Sequence, residues 1–379
     1  MHRLYIKIQM AIRKRIDTLQ MIRCFAILGI CLSHTNFSFF VSLGAWGTSV
    51  FFILSGFVMT YNYYKSGNIK SVSVKDNLHF VVGKIKRLYP LYIITTLLMF
   101  IRLVIGEETI SINVAIFRLV LNFFLVQMWL PFSECAINGP AWFLSVTVIL
   151  YFIFPYINTY MEKKYNKRKA SCMIIASLII QYSICFIGAK VPCVINVEPL
   201  ATPVMFQEWI VYNAPMTRFF DFFIGCNLAY IFILNSHDLS KIKYSLLELI
   251  AIILVIISNI ISVKLDGRVR LEKNVFVFTI GVVLLIYSFA VGRGIFSNIL
   301  TNKVTVNVGN LSSYIFLIHM PVYTYLFMFI YRIPFVNGKA ILDKYYSWIE
   351  ITVGFVIILL LSEMYVRFFY KKAHVGENM

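Results

Sequence analysis

Two ionisable side chains lie in the first long apolar segment, where hydrocarbon normally excludes them. Arg23 and His34 are eleven positions apart in RIDTLQMIRCFAILGICLSHTNF. On a helix this spacing puts them on nearly the same face, roughly 16 Å apart along the axis. An imidazole can remove a proton from a hydroxyl or accept an acyl group, and a guanidinium can bind phosphate or carboxylate. The pair therefore predicts a functional site.

Structural roles are the alternative for these residues. Arg23 could extend its side chain to the inner membrane surface, and His34 could be a neutral helix-packing residue. Placing an ionisable group in a bilayer costs about 2 kcal/mol or more, which favours a functional role for His34. His319, in SYIFLIHMPV, is a second histidine in an apolar segment. Taken alone, His319 is interpreted as structural, but His319, Asp17 and Arg218 are also candidates for supporting residues of the site.

A dense cationic group precedes Pro90 and consists of Lys84, Lys86 and Arg87. Such a group at a helix start would attract a polyphosphate ligand from the cytoplasm. Contact with lipid headgroups is the alternative interpretation.

Two acidic residues have basic neighbours along the chain. Asp17 lies near the predicted inner surface and could pair with a nearby arginine. Arg218 and Asp221 have the i, i+3 spacing that permits an ion pair on one helix face, and we interpret them as structural. The sequence contains no phosphate-binding loop, dinucleotide fingerprint, HExxH or GxSxG motif.

The composition predicts a membrane protein. Of 379 residues, 60% are hydrophobic and only 14% are charged, whereas soluble domains carry about 25% charged residues. Several apolar runs reach the length of about 20 residues that crosses a bilayer. We predict an all-α, polytopic integral membrane helix bundle with about ten transmembrane helices and both termini cytoplasmic.

Basic residues account for the net charge of +18, and they gather in particular loops. Clusters precede the first span, follow the second, fill 163–169 and end the chain, as the positive-inside rule predicts. We therefore expect contact with membrane lipids and no nucleic acid. The seven cysteines show no metal-binding spacing, although Cys135 and Cys193, in predicted outer loops, could form a disulfide.

The predicted organisation is a basic cytoplasmic lead over 1–20, a transmembrane domain over 21–370 and a cytoplasmic tail over 371–379. A short segment over 112–129 is predicted to be re-entrant or interfacial, because a full span there would place the basic block 163–169 outside. The segment 264–273 is placed outside. A short turn is predicted at 42–47 and a basic cytoplasmic loop over 65–87. The predicted helices cover 21–40, 48–64, 90–105, 142–160, 170–189, 214–234, 245–263, 275–291, 311–331 and 347–370.

Four stretches, in order, resemble the membrane-bound acyltransferase 3 family. They are RIDTLQMIRCFAILGICLSH, then GTSVFFILSGF followed by KIKRLYP, then GPAWFLSVTVILYFIFP, and finally RFFDFFIGCNLAY with SSYIFLIHMPV. The resemblance covers roughly residues 13–370, and its strength comes from the order and spacing of the motifs.

The resemblance implies a ten-helix protein that moves an acyl group, commonly acetyl, from cytoplasmic coenzyme A to a sugar outside. It implies that His34 is the essential histidine and Arg23 its partner. Lys84 and Arg87 match the basic pair thought to meet the donor, although the family carries arginine where Lys84 stands.

The resulting hypothesis is an O-acetyltransferase of a bacterial cytoplasmic membrane. Acetyl-CoA, or another acyl-CoA, is expected as donor substrate, with no bound cofactor or metal. The expected acceptor is a cell-surface or secreted polysaccharide or its lipid-linked precursor. The alternative is a membrane transporter or lipid-linked glycan flippase, although the sequence shows no detectable internal repeat of the kind found in many transporters.

Overall fold

A computed structural model describes most of the chain. The described residues are 15–35, 37, 40–69, 72–106, 111–129, 131, 136–191, 195–196, 203–204, 206–264, 275–331 and 348–376. The predicted cytoplasmic lead up to residue 14, both cysteines of the predicted disulfide and nearly all of the predicted outer segment 264–273 lie outside these ranges.

The described fold is a bundle of helices with one two-residue antiparallel strand pair, β1 (Ile195–Asn196) and β2 (Pro203–Val204). Short helical turns cover Gly139–Ala141, Phe206–Glu208, Trp209–Asn213 and Glu350–Gly354. The helices are α1 (Asp17–Ser33), α2 (Val41–Tyr63), α3 (Val74–Ile85), α4 (Tyr89–Gly106), α5 (Ile112–Phe123), α6 (Trp142–Lys164), α7 (Lys167–Gly188), α8 (Pro215–Leu234), α9 (Lys241–Lys264), α10 (Val275–Val291), α11 (Ile295–Leu300), α12 (Lys303–Tyr331) and α13 (Phe355–Gly376).

Seven helical segments of the described chain are long and apolar enough to cross a membrane, and the bent pair α3–α4 could form an eighth span. Two further predicted spans correspond to α1 and α10, which have 17 residues each. The prediction of an all-α bundle with several helices that could span a membrane is therefore confirmed. The number ten and the cytoplasmic termini stay predictions. Helix α5 has 12 residues, too few to span about 30 Å of hydrocarbon.

The first connection differs from the prediction. Helix α1 ends at Ser33, so His34 follows the helix instead of lying within it, and the predicted turn at 42–47 belongs to α2. The small residues that suggested a turn form a helix contact. A side chain on Gly44 would overlap Ser33, and one on Gly47 would lie 2.6 Å from the carbonyl oxygen of Ala26.

Helix α2 is central and packs against α1, α6, α8, α9 and α10. Its contact with α8 is reciprocal: a side chain on Gly56 would overlap the Phe222 carbonyl, and one on Gly225 would overlap the Ile53 carbonyl. Such small residues let helix backbones approach closely in a membrane. This contact fixes α8, and the residues just before it, beside α2.

Helices α1 and α12 run side by side in the same direction. Gly309 packs against the backbone of Gln20 near the start of α1. At the other end, the rings of His34 and His319 are 5.0 Å apart, centroid to centroid. The α1–α12 pairing therefore brings together two histidines that are 285 positions apart in the sequence.

The prediction of a basic loop over 65–87 is wrong in part, because α3 occupies its second half. Ser73 caps α3 by accepting a hydrogen bond from the Asp76 backbone N–H at 3.1 Å. The amide of Asn77 donates to the Phe152 carbonyl at 3.0 Å, which fastens α3 along α6. The axes of α3 and α4 differ by 69°, so the chain bends at Lys86–Leu88.

Candidate active site

His34 lies at the end of α1 with one ring nitrogen engaged. Its Nδ1 is 2.8 Å from the Ile30 carbonyl oxygen. A carbonyl only accepts, so Nδ1 carries the proton and Nε2 keeps its lone pair. The side chain is exposed and lines a cavity. This arrangement suits a general base, because a fixed tautomer presents a proton-accepting nitrogen to the cavity.

His319 is fully buried beside His34. Its Nδ1 donates to the Phe316 carbonyl at 2.9 Å, and its Nε2 has no hydrogen-bond partner among the described residues. Two imidazoles with the same tautomer thus meet at the end of α1. The structure places His319 next to His34, and its role as a possible supporting residue stays a prediction.

The cavity next to His34 has a volume of about 480 Å³. Its walls come from α1, α2, the start of α6, the segment before α8, and α12. The polar and aromatic residues of its lining are Ser33, His34, Thr48, Trp142, Glu208, Tyr212, Asn213 and Phe316. Hydroxyl, carboxylate and amide groups beside aromatic rings can bind a molecule that carries several hydroxyls.

One wall of the cavity is the helical segment Phe206–Asn213, whose last five residues form a π-helical turn. Asn213 is only 6% exposed, and its Oδ1 has no hydrogen-bond partner among the described residues. Burying an unpaired acceptor costs about 1–3 kcal/mol, and the residue that carries this atom lies in the cavity wall. Sequence reasoning missed Glu208, Tyr212 and Asn213, because they follow an irregular loop without a motif.

The predicted ion pair between Arg218 and Asp221 is confirmed, with a distance of 2.9 Å and both side chains fully buried. Gln181 donates to the Asp221 carboxylate at 2.8 Å. The Arg218 Nε donates to the Tyr212 carbonyl at 2.6 Å, and its guanidinium lies over the Tyr212 ring at 4.4 Å. Arg218 therefore supports the cavity wall from behind.

Arg218 also reaches a second part of the same wall. Its guanidinium lies 5.5 Å from the ring centroid of Trp142, a residue that lines the cavity. The ion pair thus orders two cavity-lining aromatic residues and makes no contact with the cavity itself, because it is not among the lining residues.

Arg23 lies on α1, about 16 Å before His34 along the axis. Its Nε is buried without a hydrogen-bond partner among the described residues. The guanidinium interacts electrostatically with Tyr151, whose hydroxyl is 2.9 Å from the Ser55 Oγ. Arg23 therefore belongs to a polar group inside the bundle, apart from the residues that line the His34 cavity.

Asp17 begins α1 and pairs with Arg15 at 3.1 Å, with both side chains more than half exposed. The predicted pairing with a neighbouring arginine is confirmed. An exposed pair of this kind contributes about 0–1 kcal/mol. The structure does not bring Asp17 to the cavity.

Lys84 contacts the last residue of α2, whereas the first two turns of α2 line the His34 cavity. The Lys84 ammonium donates to the Tyr63 hydroxyl at 2.5 Å and lies over the Phe80 ring at 5.2 Å. Arg87 stands at the bend between α3 and α4, and its neighbour Leu88 lines a separate, smaller cavity. These basic residues and His34 therefore do not share one cavity.

The described residues contain no group of three or more His, Cys, Asp or Glu side chains that could hold a metal ion. The polar side chains that line the His34 cavity carry imidazole, carboxylate, hydroxyl and amide groups.

The comparisons with known proteins agree with the motifs and the fold. The chain belongs to the acyltransferase 3 family, whose profile, described as an acyltransferase domain, matches residues 16–365. Among the described residues, this membership is accompanied by seven helices, or eight with the bent pair α3–α4, that are long and apolar enough to cross a membrane.

One relative of the chain is also named an acyltransferase. Acyltransferase MdmB of Streptomyces mycarofaciens is 26% identical to the chain over 234 residues. The matched stretch spans 57% of this chain and 57% of that relative, so it is less than two thirds of either. No solved structure matches the chain.

Proposed function

We propose that the protein is an O-acyltransferase of a bacterial cell membrane. It moves an acyl group, in our proposal acetyl, from cytoplasmic acyl-CoA to a hydroxyl of a cell-surface or secreted polysaccharide or of its lipid-linked precursor. The proposal rests on one observation: the Nδ1 of His34 donates to the Ile30 carbonyl while the ring lines the 480 Å³ cavity.

In the proposed reaction, Nε2 of His34 removes the proton from an acceptor hydroxyl. The hydroxyl oxygen attacks the thioester carbonyl carbon, a carbon–oxygen bond forms, and the carbon–sulfur bond breaks. The imidazolium then returns its proton to the departing thiolate. The Ile30 carbonyl, 2.8 Å from Nδ1, holds the ring in place and stabilises its transient positive charge.

The acceptor side of the proposal rests on the chemistry of the cavity lining. Trp142 and Tyr212 offer aromatic faces, and Glu208, Asn213 and Thr48 offer polar groups. Sugars present apolar C–H faces together with several hydroxyls, so this combination can both stack and form hydrogen bonds.

The donor side of the proposal rests on the basic residues near the bend of α3 and α4. Lys84 and Arg87 would attract the phosphates of coenzyme A from the cytoplasm. Arg23, half-buried on α1 between this side and His34, would meet the donor deeper in the bundle. Lys84 binds phosphate as a point charge, without the bidentate geometry of arginine.

The test replaces His34 by alanine and compares it with His79→Ala, which removes an exposed histidine of α3. We expect His34→Ala to lower the acetyl content of isolated surface polysaccharide by roughly 10²–10⁴-fold, the range of a lost general base. His79→Ala should leave acetylation unchanged. Unchanged acetylation in His34→Ala, at equal protein levels, would reject the assignment.

A second measurement separates a transferase from a transporter. Purified protein in vesicles receives labelled acetyl-CoA and surface polysaccharide from a deletion strain. A transferase releases free coenzyme A thiol and labels the polysaccharide, whereas a transporter or flippase releases no thiol.

A further inference from the structure

A second, smaller cavity lies in the interior of the bundle, between α2, α6, α12 and the bend that precedes α4. Its volume is about 50 Å³, and its lining includes Phe51, Leu88, Ser312, Ser313 and Phe316. A water molecule needs about 10–15 Å³ of such volume. The cavity therefore matches a group of a few non-hydrogen atoms, such as acetyl.

The small cavity lies toward the donor side of the bundle. On α12, Gly309 packs against Gln20 and His319 packs against His34. Ser312 therefore lies between these two contacts along the axis of α12. Seven residues separate Ser312 from His319, which is about 10 Å along α12. On the opposite wall, Leu88 directly follows Arg87. The cavity therefore lies between a residue proposed to meet the donor and the histidine proposed to do the chemistry.

Phe316 separates this cavity from the one beside His34, because its side chain lines both. Its ring centroid is 5.5 Å from that of Phe143 and 6.5 Å from that of Phe51. On the other side, the centroid of the His319 ring is 6.0 Å away. Rings from α2, α6 and α12 thus form a partition between the two cavities, and we call these three residues, Phe51, Phe143 and Phe316, the aromatic partition.

We infer that the small cavity binds the acyl group of the donor thioester and that Phe316 limits the length of that group. The inference rests on the proposed function. A short acyl group occupies the space below the aromatic partition, and rotation of the Phe316 ring joins that space to the His34 cavity. The bond changes are those of the proposed reaction. The bond between the carbonyl carbon and sulfur breaks, a bond between that carbon and the acceptor hydroxyl oxygen forms, and the hydroxyl proton ends on the thiol.

The size of the cavity explains why length matters. A few additional methylenes would not fit within about 50 Å³ without displacing the partition. In an apolar pocket, one methylene changes discrimination by roughly tenfold or more. Replacing Phe316 by alanine would merge the two cavities and remove this limit.

The experiment measures kcat/KM for acetyl-, butyryl- and hexanoyl-CoA, with surface polysaccharide from a deletion strain as acceptor. The variants are Phe316→Ala and the milder Phe316→Leu, which guards against a folding defect. The matched control is Phe329→Ala, which removes a phenylalanine of the same helix that is 68% exposed. Size-exclusion profiles in detergent check that each variant is folded.

We expect wild type and Phe329→Ala to favour acetyl-CoA. In Phe316→Ala, the ratio of hexanoyl to acetyl kcat/KM should rise by roughly tenfold or more, with a smaller rise in Phe316→Leu. The same chain-length preference in folded wild type and both Phe316 variants would overturn the inference and leave the proposed function intact. Failure of wild type to release thiol from any acyl-CoA would overturn both.

Discussion

At the scale of the residue, the proposed role of His34 as a base depends on its own helix, which determines its tautomer. The Ile30 carbonyl at the end of α1 accepts a hydrogen bond from Nδ1–H, and the chain leaves the helix at this point, so the ring enters the cavity. Sequence reasoning identified His34 from its type and its spacing to Arg23. It could not identify Asn213, because the position of this residue in the cavity wall depends on the fold.

Asn213 offers a prediction that separates function from stability. Its Oδ1 is buried and unpaired among the described residues, so removing it relieves a desolvation cost of about 1–3 kcal/mol. We expect Asn213→Ala to keep or raise the thermal unfolding midpoint and to raise the acceptor KM by roughly tenfold, the loss of about one hydrogen bond to a ligand.

The control for this prediction is the donor KM, which should not change in the same variant. The matched variant is Asn227→Ala, because Asn227 is a fully buried asparagine of α8 that does not line the cavity. A lower unfolding midpoint with an unchanged acceptor KM would show that Asn213 is structural.

At the scale of the element, the contact between α2 and α8 determines where the cavity wall lies. Helix α8 begins at Pro215, two residues after Asn213, and Arg218 on its first turns holds Tyr212. Any change in the separation of α2 and α8 therefore moves the wall segment Phe206–Asn213 relative to His34.

Gly225→Ala tests this dependence. Its new methyl group would overlap the Ile53 carbonyl, and overpacking of this kind costs about 1–3 kcal/mol. We expect a lower midpoint of thermal unfolding in detergent and reduced acyl transfer. Gly83→Ala is the control, because a methyl group there has no neighbour within 4 Å and alanine favours a helix. Equal midpoints for the two variants would contradict the close contact.

At the scale of the whole molecule, the proposed reaction needs its donor and acceptor on opposite sides of the membrane. Basic residues at the end of α6 and the start of α7, such as Lys164 and Lys167, favour the cytoplasm by the positive-inside rule. The His34 cavity lies at the opposite end of α6, beside Trp142. This polarity predicts an outward-facing acceptor cavity.

Thiol labelling in intact cells checks the orientation. The background is the full chain with serine at Cys135, Cys172 and Cys193, because the other cysteines are buried. We expect a membrane-impermeant reagent to label Val41→Cys, at the outer end of α2, and to label Lys65→Cys, beyond its inner end, only after cell lysis. The reverse pattern would invert the proposed orientation, and with it the donor and acceptor sides.

The sequence alone determined the features that depend on short stretches of chain. Apolar length specified most spans, the sorting of Lys and Arg predicted their orientation, and the motif order identified the family. The predicted turn at 42–47 was wrong, and the predicted loop at 65–87 was wrong in its second half. Small or basic residues there serve helix contacts that local composition does not reveal.

Only the tertiary structure decided which residues meet. His319 comes to His34, Arg218 comes behind Tyr212, and Phe316 comes between two cavities. These contacts depend on how α1, α2, α8 and α12 pack through small residues and on a bend between α3 and α4. Hydrophobic periodicity reports which face of a helix is apolar, and it carries no information about which distant helix covers that face.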